Sequence, residues 1–149
     1  GSFMNLLRAW SYIRYHGKDG MYQNTIRAVM NANYVAKKLQ GKYDSVSESV
    51  KKHEVVVSSQ NTGKRAMDIA KYLINNGVHS PTIYFPLIIH EALMIEPTED
   101  VNIEDLDRFC NLMIEALEKD NAYLQTLPNM LPIGRADEVK AAKDLKLRW

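Results

Sequence analysis

The chain of 149 residues has little cysteine, no long apolar run and almost no excess charge. Its single cysteine, Cys110, excludes an internal disulfide and a cysteine-based zinc site, so a reducing, cytoplasmic setting is the simplest expectation. No apolar stretch approaches the ~20 residues that cross a bilayer, and we expect no association with a membrane. The 19 basic and 18 acidic residues leave a net charge of +1. This near-neutrality argues against nucleic acid as a partner.

Motifs for catalysis and for phosphate binding are also missing. GxGxxG, GxxxxGK[ST], GxSxG and HExxH do not occur in the chain, and we predict no metal site. His90 and Glu91 are adjacent, so on an extended segment their side chains point to opposite faces. We therefore interpret them as an exposed turn pair rather than an acid–base dyad. His53 and Glu54 are interpreted in the same way, as a polar pair at a strand edge.

Apolar periodicity nevertheless predicts a well-defined set of helices and strands. A turn at Gly17–Gly20 separates the first two helices, Thr62 is expected to cap the third, and Asn102 or Asp100 the fourth. The stripe Leu106, Phe109, Cys110, Met113, Ile114 and Leu117 should be the buried side of the fourth helix. The predicted helices span residues 5–16, residues 21–39, Thr62 to Ile74, the cap at Asn102 or Asp100 to Leu117, and residues 136–143. The predicted strands span residues 53–59, 82–85 and 92–95.

These elements indicate one α+β domain. Three or four strands, mostly antiparallel, with the helices gathered on one side form a two-layer arrangement that buries the apolar faces of both. The segments PTIYFP and ALMIEP should pair as an antiparallel hairpin. The passage from Val55 to Phe85 is consistent with a strand–helix–strand crossover.

The polar corner Glu96–Glu99 closes the stretch that begins at Pro81. Pro97 fixes the backbone and ends the last strand, which would present Thr98 and Glu99 at the strand end. The alternative is a plain turn that leads into the next helix. The sequence leaves both interpretations open, and Thr98 and Glu99 are the best candidates for a site.

Several segments carry a family resemblance in their order along the chain. Together they resemble the P-protein of the glycine cleavage system, a glycine dehydrogenase (decarboxylating) that depends on pyridoxal phosphate. The similarity runs from Gly1 to Trp149 and is strongest to subunit 2 of the two-subunit bacterial and archaeal form. The segments are RAWSYI (8–13), VMNANY (29–34), HEVVV (53–57), DIAK (68–71), PTIYFP (81–86), ALMIEPTE (92–99), DEVKAA (137–142) and LRW (147–149).

The resemblance implies a type I aminotransferase fold, of which residues 1–149 would be the single C-terminal small domain. The large domain that binds pyridoxal phosphate would then lie in a longer chain. The family's Schiff-base lysine belongs to a His-Lys motif of that large domain, and no such motif occurs here. The resemblance therefore implies no catalytic residue in this chain. Alone, the chain should neither bind the cofactor nor decarboxylate glycine.

In the intact family, glycine loses carbon dioxide and its aminomethyl group passes to the lipoyl arm of the H-protein. The implied partners are glycine, subunit 1 and the lipoylated H-protein. Ser2 would contact the cofactor phosphate from the neighbouring subunit, and Thr98 and Glu99 would lie on the substrate side. Asn129 replaces a family histidine. The alternative is a free-standing α+β ligand-binding or interaction module, and the coding sequence upstream of Gly1 would distinguish the two.

Overall fold

The computed structural model describes residues 1–146 and residue 148, so Leu147 and Trp149 of the closing LRW segment lie outside the described residues. No helix within the described part is long and apolar enough to cross a membrane. The elements there are α1 (Phe3–Leu39), β1 (Asp44–Ser45), β2 (Val55–Ser58), a 3-10 turn (Gln60–Thr62), α2 (Ala66–Asn75), β3 (Thr82–Ile83), β4 (Ala92–Ile95), α3 (Ile103–Glu118), α4 (Asn121–Gln125) and α5 (Glu138–Lys143).

The four strands form one antiparallel sheet in the order β1-β2-β4-β3. In its centre, Val55 lies opposite Ile95 and Val57 lies opposite Leu93. All four of these side chains are buried, because alternate residues of a strand point to the same face and this face meets the helices. The predicted hairpin of β3 and β4 is confirmed, with Ile83 opposite Leu93.

Helices α1, α2 and α3 cover that one face of the sheet and complete the core. The stripe predicted for α3 faces inward, with Leu106, Cys110 and Met113 buried and the other three members partly buried against the core. Asn102 caps α3 by accepting a hydrogen bond from the N–H of Asp105 at 2.8 Å. The two-layer α+β prediction is confirmed. The other helices contribute Val35, Leu39, Ile69, Leu73 and Leu124.

Helix α1 differs from the prediction of two helices joined by a turn. Gly17 alone departs from helical geometry, with φ 62° and ψ −174°, and the helix resumes directly after it. This backbone conformation is essentially restricted to glycine, so a single residue redirects the axis. The predicted break between two helices is therefore found, as a kink at Gly17, but the turn predicted to continue to Gly20 is wrong, because residues 18–20 are helical. Residues 1–15, ahead of the kink, are all exposed.

Two other predicted boundaries are also corrected. Thr62 is not the cap of α2, because it lies in the 3-10 turn and donates its hydroxyl to the carbonyl of Ser59; Arg65 holds the cap position. Strand β3 ends at Ile83 because Tyr84 has a positive φ of 58°. Strands β2 and β3 run parallel in one sheet with α2 between them in the chain, which agrees with the predicted crossover, and β4 lies between them in the sheet.

Candidate functional site

The polar corner after β4 lies where the chain leaves the sheet for α3. Pro97 is buried beneath it, and the N–H of Val101 donates to the carbonyl of Thr98 at 3.4 Å. The exposed Thr98 hydroxyl donates to the Asp100 carboxylate at 2.5 Å. The corner is thus a turn into α3 that also holds Thr98 and Glu99 side by side at the strand end. Both interpretations of this segment describe part of its geometry.

Helix α1 contacts the corner at two points along its length. The Tyr12 hydroxyl donates to Oε1 of Glu99 at 2.5 Å, and the Asn24 side chain donates to the same hydroxyl at 2.8 Å. Farther along, Asn31 Nδ2 donates to the carbonyl of Thr98 at 2.9 Å. These bonds hold the corner against α1 at two atoms, the Glu99 carboxylate and the Thr98 carbonyl. No local sequence pattern signals them, because 87 residues separate Tyr12 from Glu99.

The Tyr12–Glu99 hydrogen bond shifts the titration of both groups. Donation from the Tyr12 hydroxyl lowers the pKa of Glu99 below its ordinary value, and the same bond raises the pKa of Tyr12 above its own. Near neutral pH, Glu99 is therefore a carboxylate that accepts hydrogen bonds. It is poorly suited to the role of a general acid.

A cleft of about 460 Å³ opens beside Glu99, between α1 and the segment that enters β2. Its ionisable members besides Tyr12 and Glu99 are Lys52 and His53. The His53 imidazole lies 4.0 Å from the carboxylates of Glu54 and Glu96, too far for a hydrogen bond to either. The cleft therefore offers groups that bind a polar ligand rather than an assembled acid–base pair. It is lined by Tyr12, Met21, Asn24, Thr25, Ala28, Val29, Lys52, His53 and Glu99.

Comparison with known families identifies the domain that carries this corner. Residues 24–127 match the family model described as "Glycine dehydrogenase, C-terminal domain". The chain belongs to the glycine dehydrogenase C-terminal domain family. The match covers the sheet, helices α2 to α4 and the cleft residues from Asn24 onward, and it confirms the resemblance inferred from the sequence.

Relatives of this glycine dehydrogenase family domain match the chain along its whole length. A protein of Thermoplasma volcanium is 55% identical over 149 residues, and one of Pyrococcus horikoshii is 43% identical over 162. Both are named "Probable glycine dehydrogenase (decarboxylating) subunit 2". Each match covers 100% of this chain and 32% of the relative. The chain thus spans about a third of the length of these curated relatives.

A solved structure shares the fold of this glycine dehydrogenase family domain. It is glycine decarboxylase (P-protein) of the glycine cleavage system in inhibitor-bound form, with a TM-score of 0.63 and 17% sequence identity. The superposition covers 71% of this chain and 24% of that one. At this identity the likeness shows a common fold, which agrees with the α+β arrangement of the helices and sheet.

Ser2 lies apart from the Thr98–Glu99 corner, in a segment that the glycine dehydrogenase family model does not match. It is exposed at the start of α1, and its side chain makes no capping hydrogen bond. Ten residues of helix separate Ser2 from Tyr12, about 15 Å along the axis. Thr98 and Glu99 are adjacent at the corner but line different clefts, and Ser2 lies apart from both.

In this family domain, Asn129 lies in a tail held by its backbone. The Asn75 side chain accepts hydrogen bonds from the N–H groups of Asn129 at 2.8 Å and Met130 at 2.9 Å. The Asn129 residue itself is exposed. That Asn129 stands where the family has a histidine stays a prediction.

Asp68 is a buried charged residue that sequence reasoning missed. It is 3% exposed and accepts hydrogen bonds from Arg65 Nε at 3.0 Å and from Arg135 Nη1 at 2.7 Å. Burial by itself raises the pKa of Asp68, but the two guanidinium groups outweigh it and the pKa is lowered overall. Arg135 also donates to the carbonyls of Leu124 and Leu127, so it joins the tail to the end of α4 as well as to Asp68 of α2.

The pair His90 and Glu91 forms no dyad, in agreement with the interpretation of an exposed turn for His90. Glu91 has a different function that was not predicted: its Oε2 accepts a hydrogen bond from the N–H of Ala66 at 2.5 Å. A carboxylate at this position satisfies a free N–H at the start of α2 and interacts favourably with the helix dipole. Arg65, at the cap position, makes no side-chain capping hydrogen bond, so Glu91 supplies the cap from a distant part of the chain.

Metal binding finds no support in the part of the chain that the structure describes. No three side chains of His, Cys, Asp or Glu come together there in a group that could hold an ion. The single thiol, Cys110, is buried in the core, and burial raises its pKa to about 11. It is therefore suited to packing rather than to ligation or nucleophilic attack.

Proposed function

We propose that the chain is the C-terminal small domain of a glycine dehydrogenase (decarboxylating) that depends on pyridoxal phosphate. The observation that carries the proposal is the 55% identity over all 149 residues to a relative of that name. The match spans 32% of that relative, which supports the proposal that residues 1–149 are one domain of a longer polypeptide.

The proposed reaction belongs to the complete enzyme. Glycine loses carbon dioxide, and its aminomethyl group passes to the lipoyl arm of the H-protein; pyridoxal phosphate, when bound, accepts the electrons that the departing carbon dioxide leaves behind. The name "subunit 2" of the relatives supports a partner, subunit 1. We further predict a reducing, cytoplasmic location from the single cysteine.

The residues of this chain fit a contact with the phosphate of pyridoxal phosphate rather than the covalent attachment of the cofactor. The histidines of this chain are followed by Gly17, Glu54, Ser80 and Glu91, so the His-Lys motif for the Schiff base is missing. Ser2, in contrast, stands at the N-terminus of a long helix whose first turn contains no acidic residue. Free N–H groups and the helix dipole at such an end favour a phosphate. We propose that Ser2 contacts the cofactor phosphate of a neighbouring subunit.

Thr98 and Glu99 are proposed to face the substrate side. The lowered pKa of Glu99 keeps a negative charge at the mouth of the cleft, and this charge favours an ammonium group such as that of an amino acid. The role of these residues is to orient and bind, because no described group near them is placed for nucleophilic attack. The isolated chain is accordingly expected to be inactive.

Exchange of labelled bicarbonate into glycine tests the proposal. The longer natural chain is combined with subunit 1, lipoylated H-protein and pyridoxal phosphate, and we expect exchange with this mixture but none with the 149-residue chain. Glu99→Gln should reduce the exchange rate or raise the KM for glycine, whereas Glu96→Gln, a neighbouring exposed carboxylate, is the matched control. Absence of exchange in the complete mixture would show that the proposed function is wrong.

A further inference from the structure

Five of the large apolar side chains that the first half of α1 presents to solvent lie on one face of the helix. Phe3 is 71% exposed, Leu6 67%, Leu7 40%, Trp10 61% and Ile13 54%. We call these five residues the α1 seam. A helix of a soluble protein normally turns such a stripe toward another element, and a contiguous apolar patch of this kind marks an interaction surface.

The seam points away from the domain to which α1 belongs. At 100° per residue its members span roughly 120° of the helix circumference, and Tyr12 lies roughly 160° from their centre. Tyr12 is the residue that bonds Glu99 on the body of the domain. The face that carries the seam is consequently the outer one, and the inner side of the same segment carries the polar Asn5 and Arg8.

Two features hold this orientation. The kink at Gly17 sets the direction of the segment ahead of it, and the Tyr12–Glu99 bond, supported by Asn24, fixes its rotation about the helix axis. The Tyr12 hydroxyl thus connects the segment ahead of the kink to the body of the domain through a side-chain hydrogen bond. The outward position of the seam is therefore determined by named contacts of the folded domain.

Two features of the relatives favour a partner for the seam within the same polypeptide. The family model for the domain begins at residue 24, yet the relatives match from the first residue of the chain, so the seam lies in sequence that they share outside the domain model. Those relatives are about three times as long as this chain. When two surfaces belong to one polypeptide, each experiences a high effective concentration of the other, and this favours a contact within the chain.

We propose that the α1 seam docks against the portion of the longer polypeptide that lies outside residues 1–149, and that Glu99 positions it through Tyr12. The inference rests on one part of the proposed function, namely that the chain is a piece of a longer subunit. It adds the surface by which the pieces meet and gives Glu99 a positioning role besides its placement on the substrate side.

Cysteine labelling in the longer natural chain tests the docking. Leu6→Cys places a thiol in the seam, and the matched Arg8→Cys places one on the inner polar side of the same helix. Maleimide modification is followed for each peptide by mass spectrometry, with the buried Cys110 as an internal unreactive thiol. We expect Leu6→Cys to label at least about tenfold more slowly than Arg8→Cys in the longer chain, and both to label at similar rates in the 149-residue chain.

Three outcomes would overturn the docking proposal. Equal labelling of both thiols in the longer chain alone would show a free seam. Protection that appears only when subunit 1 is added would assign the surface to that partner. Protection that rises with protein concentration in the 149-residue chain would assign it to a second copy.

The positioning role of Glu99 has its own readout. Glu99→Gln should increase the labelling of Leu6→Cys in the longer chain several-fold, whereas the control Glu96→Gln should leave it unchanged; equal effects would remove Glu99 from this role. The bicarbonate exchange assay separates the two proposals. If the complete enzyme exchanges bicarbonate while Leu6→Cys labels freely, only the docking proposal is overturned. If Leu6→Cys is protected but the enzyme is inactive with all its partners present, only the proposed function is overturned.

Discussion

Substitution of the buried carboxylate, Asp68→Asn, should destabilise the domain more than any single change at its surface. The carboxylate is 3% exposed and accepts hydrogen bonds from two guanidinium groups. An asparagine of nearly the same shape keeps one acceptor oxygen but removes the charge that both arginines neutralise. Because Arg135 also bonds the carbonyls of Leu124 and Leu127, the substitution weakens the attachment of the tail as well.

The size of the loss depends on how far water can replace the hydrogen bonds that each arginine makes to Asp68. The Arg65 side chain is 57% exposed, so its pair with Asp68 contributes less than about 1 kcal/mol. The Arg135 side chain is 25% exposed, and a hydrogen bond to a charged group in such a setting contributes about 1.5–3 kcal/mol. We expect a loss of about 2–3 kcal/mol in the free energy of unfolding, or roughly 6–12 °C in Tm for a chain of this length.

The loss should depend on pH in a defined direction. The pKa of Asp68 is lowered in the folded state, so its contribution is fully present above the ordinary aspartate pKa of about 3.9. The contribution disappears as the pH falls through the folded-state pKa, because the carboxylate is then protonated in both states. The difference between the natural chain and Asp68→Asn should therefore be largest near neutral pH and shrink in strong acid.

Urea unfolding followed by circular dichroism, near pH 7 and near pH 2, measures this difference. Arg65→Gln is the matched control, since it removes the exposed partner and should cost under about 1 kcal/mol. Arg135→Gln should cost more than Arg65→Gln, and its effect should not add to that of Asp68→Asn because the two residues interact. An Asp68→Asn variant as stable as the natural chain near neutral pH, or a loss that is equal at both pH values, would refute the reasoning.

Three further changes test other parts of the fold. Gly17→Ala places a side chain at φ 62° and should cost about 1–3 kcal/mol in urea unfolding, whereas a more stable variant would contradict the kink. Glu91→Ala removes the acceptor for the Ala66 N–H and should cost about 1 kcal/mol, with increased hydrogen exchange in the first turn of α2; unchanged exchange would contradict the cap. Cys110, buried and with its pKa raised to about 11, should react with a thiol reagent only after unfolding, and reaction on mixing would contradict its burial.

The sequence predicted those parts of the fold that depend on neighbouring residues. The cap Asn102 and the inward stripe of α3 follow from spacing within one helix, and both were correct. The Glu91 cap and the Asp68–Arg135 pair were missed, because their partners lie 25 and 67 residues apart and no local pattern connects them. At the corner, Pro97 indicated that Thr98 and Glu99 end a strand, yet the hydrogen bond from Tyr12 depends on how α1 crosses the domain.

The position of β4 at the centre of the sheet has a consequence for how the protein folds. β2 and β3 both precede β4 in the chain, and each pairs with it rather than with the other. During synthesis, the edge of each strand that pairs with β4 therefore stays unpaired until Ala92–Ile95 has left the ribosome. Unpaired strand edges promote association between chains, so nascent chains that stop short of Ile95 should be far more prone to aggregate than chains only a few residues longer.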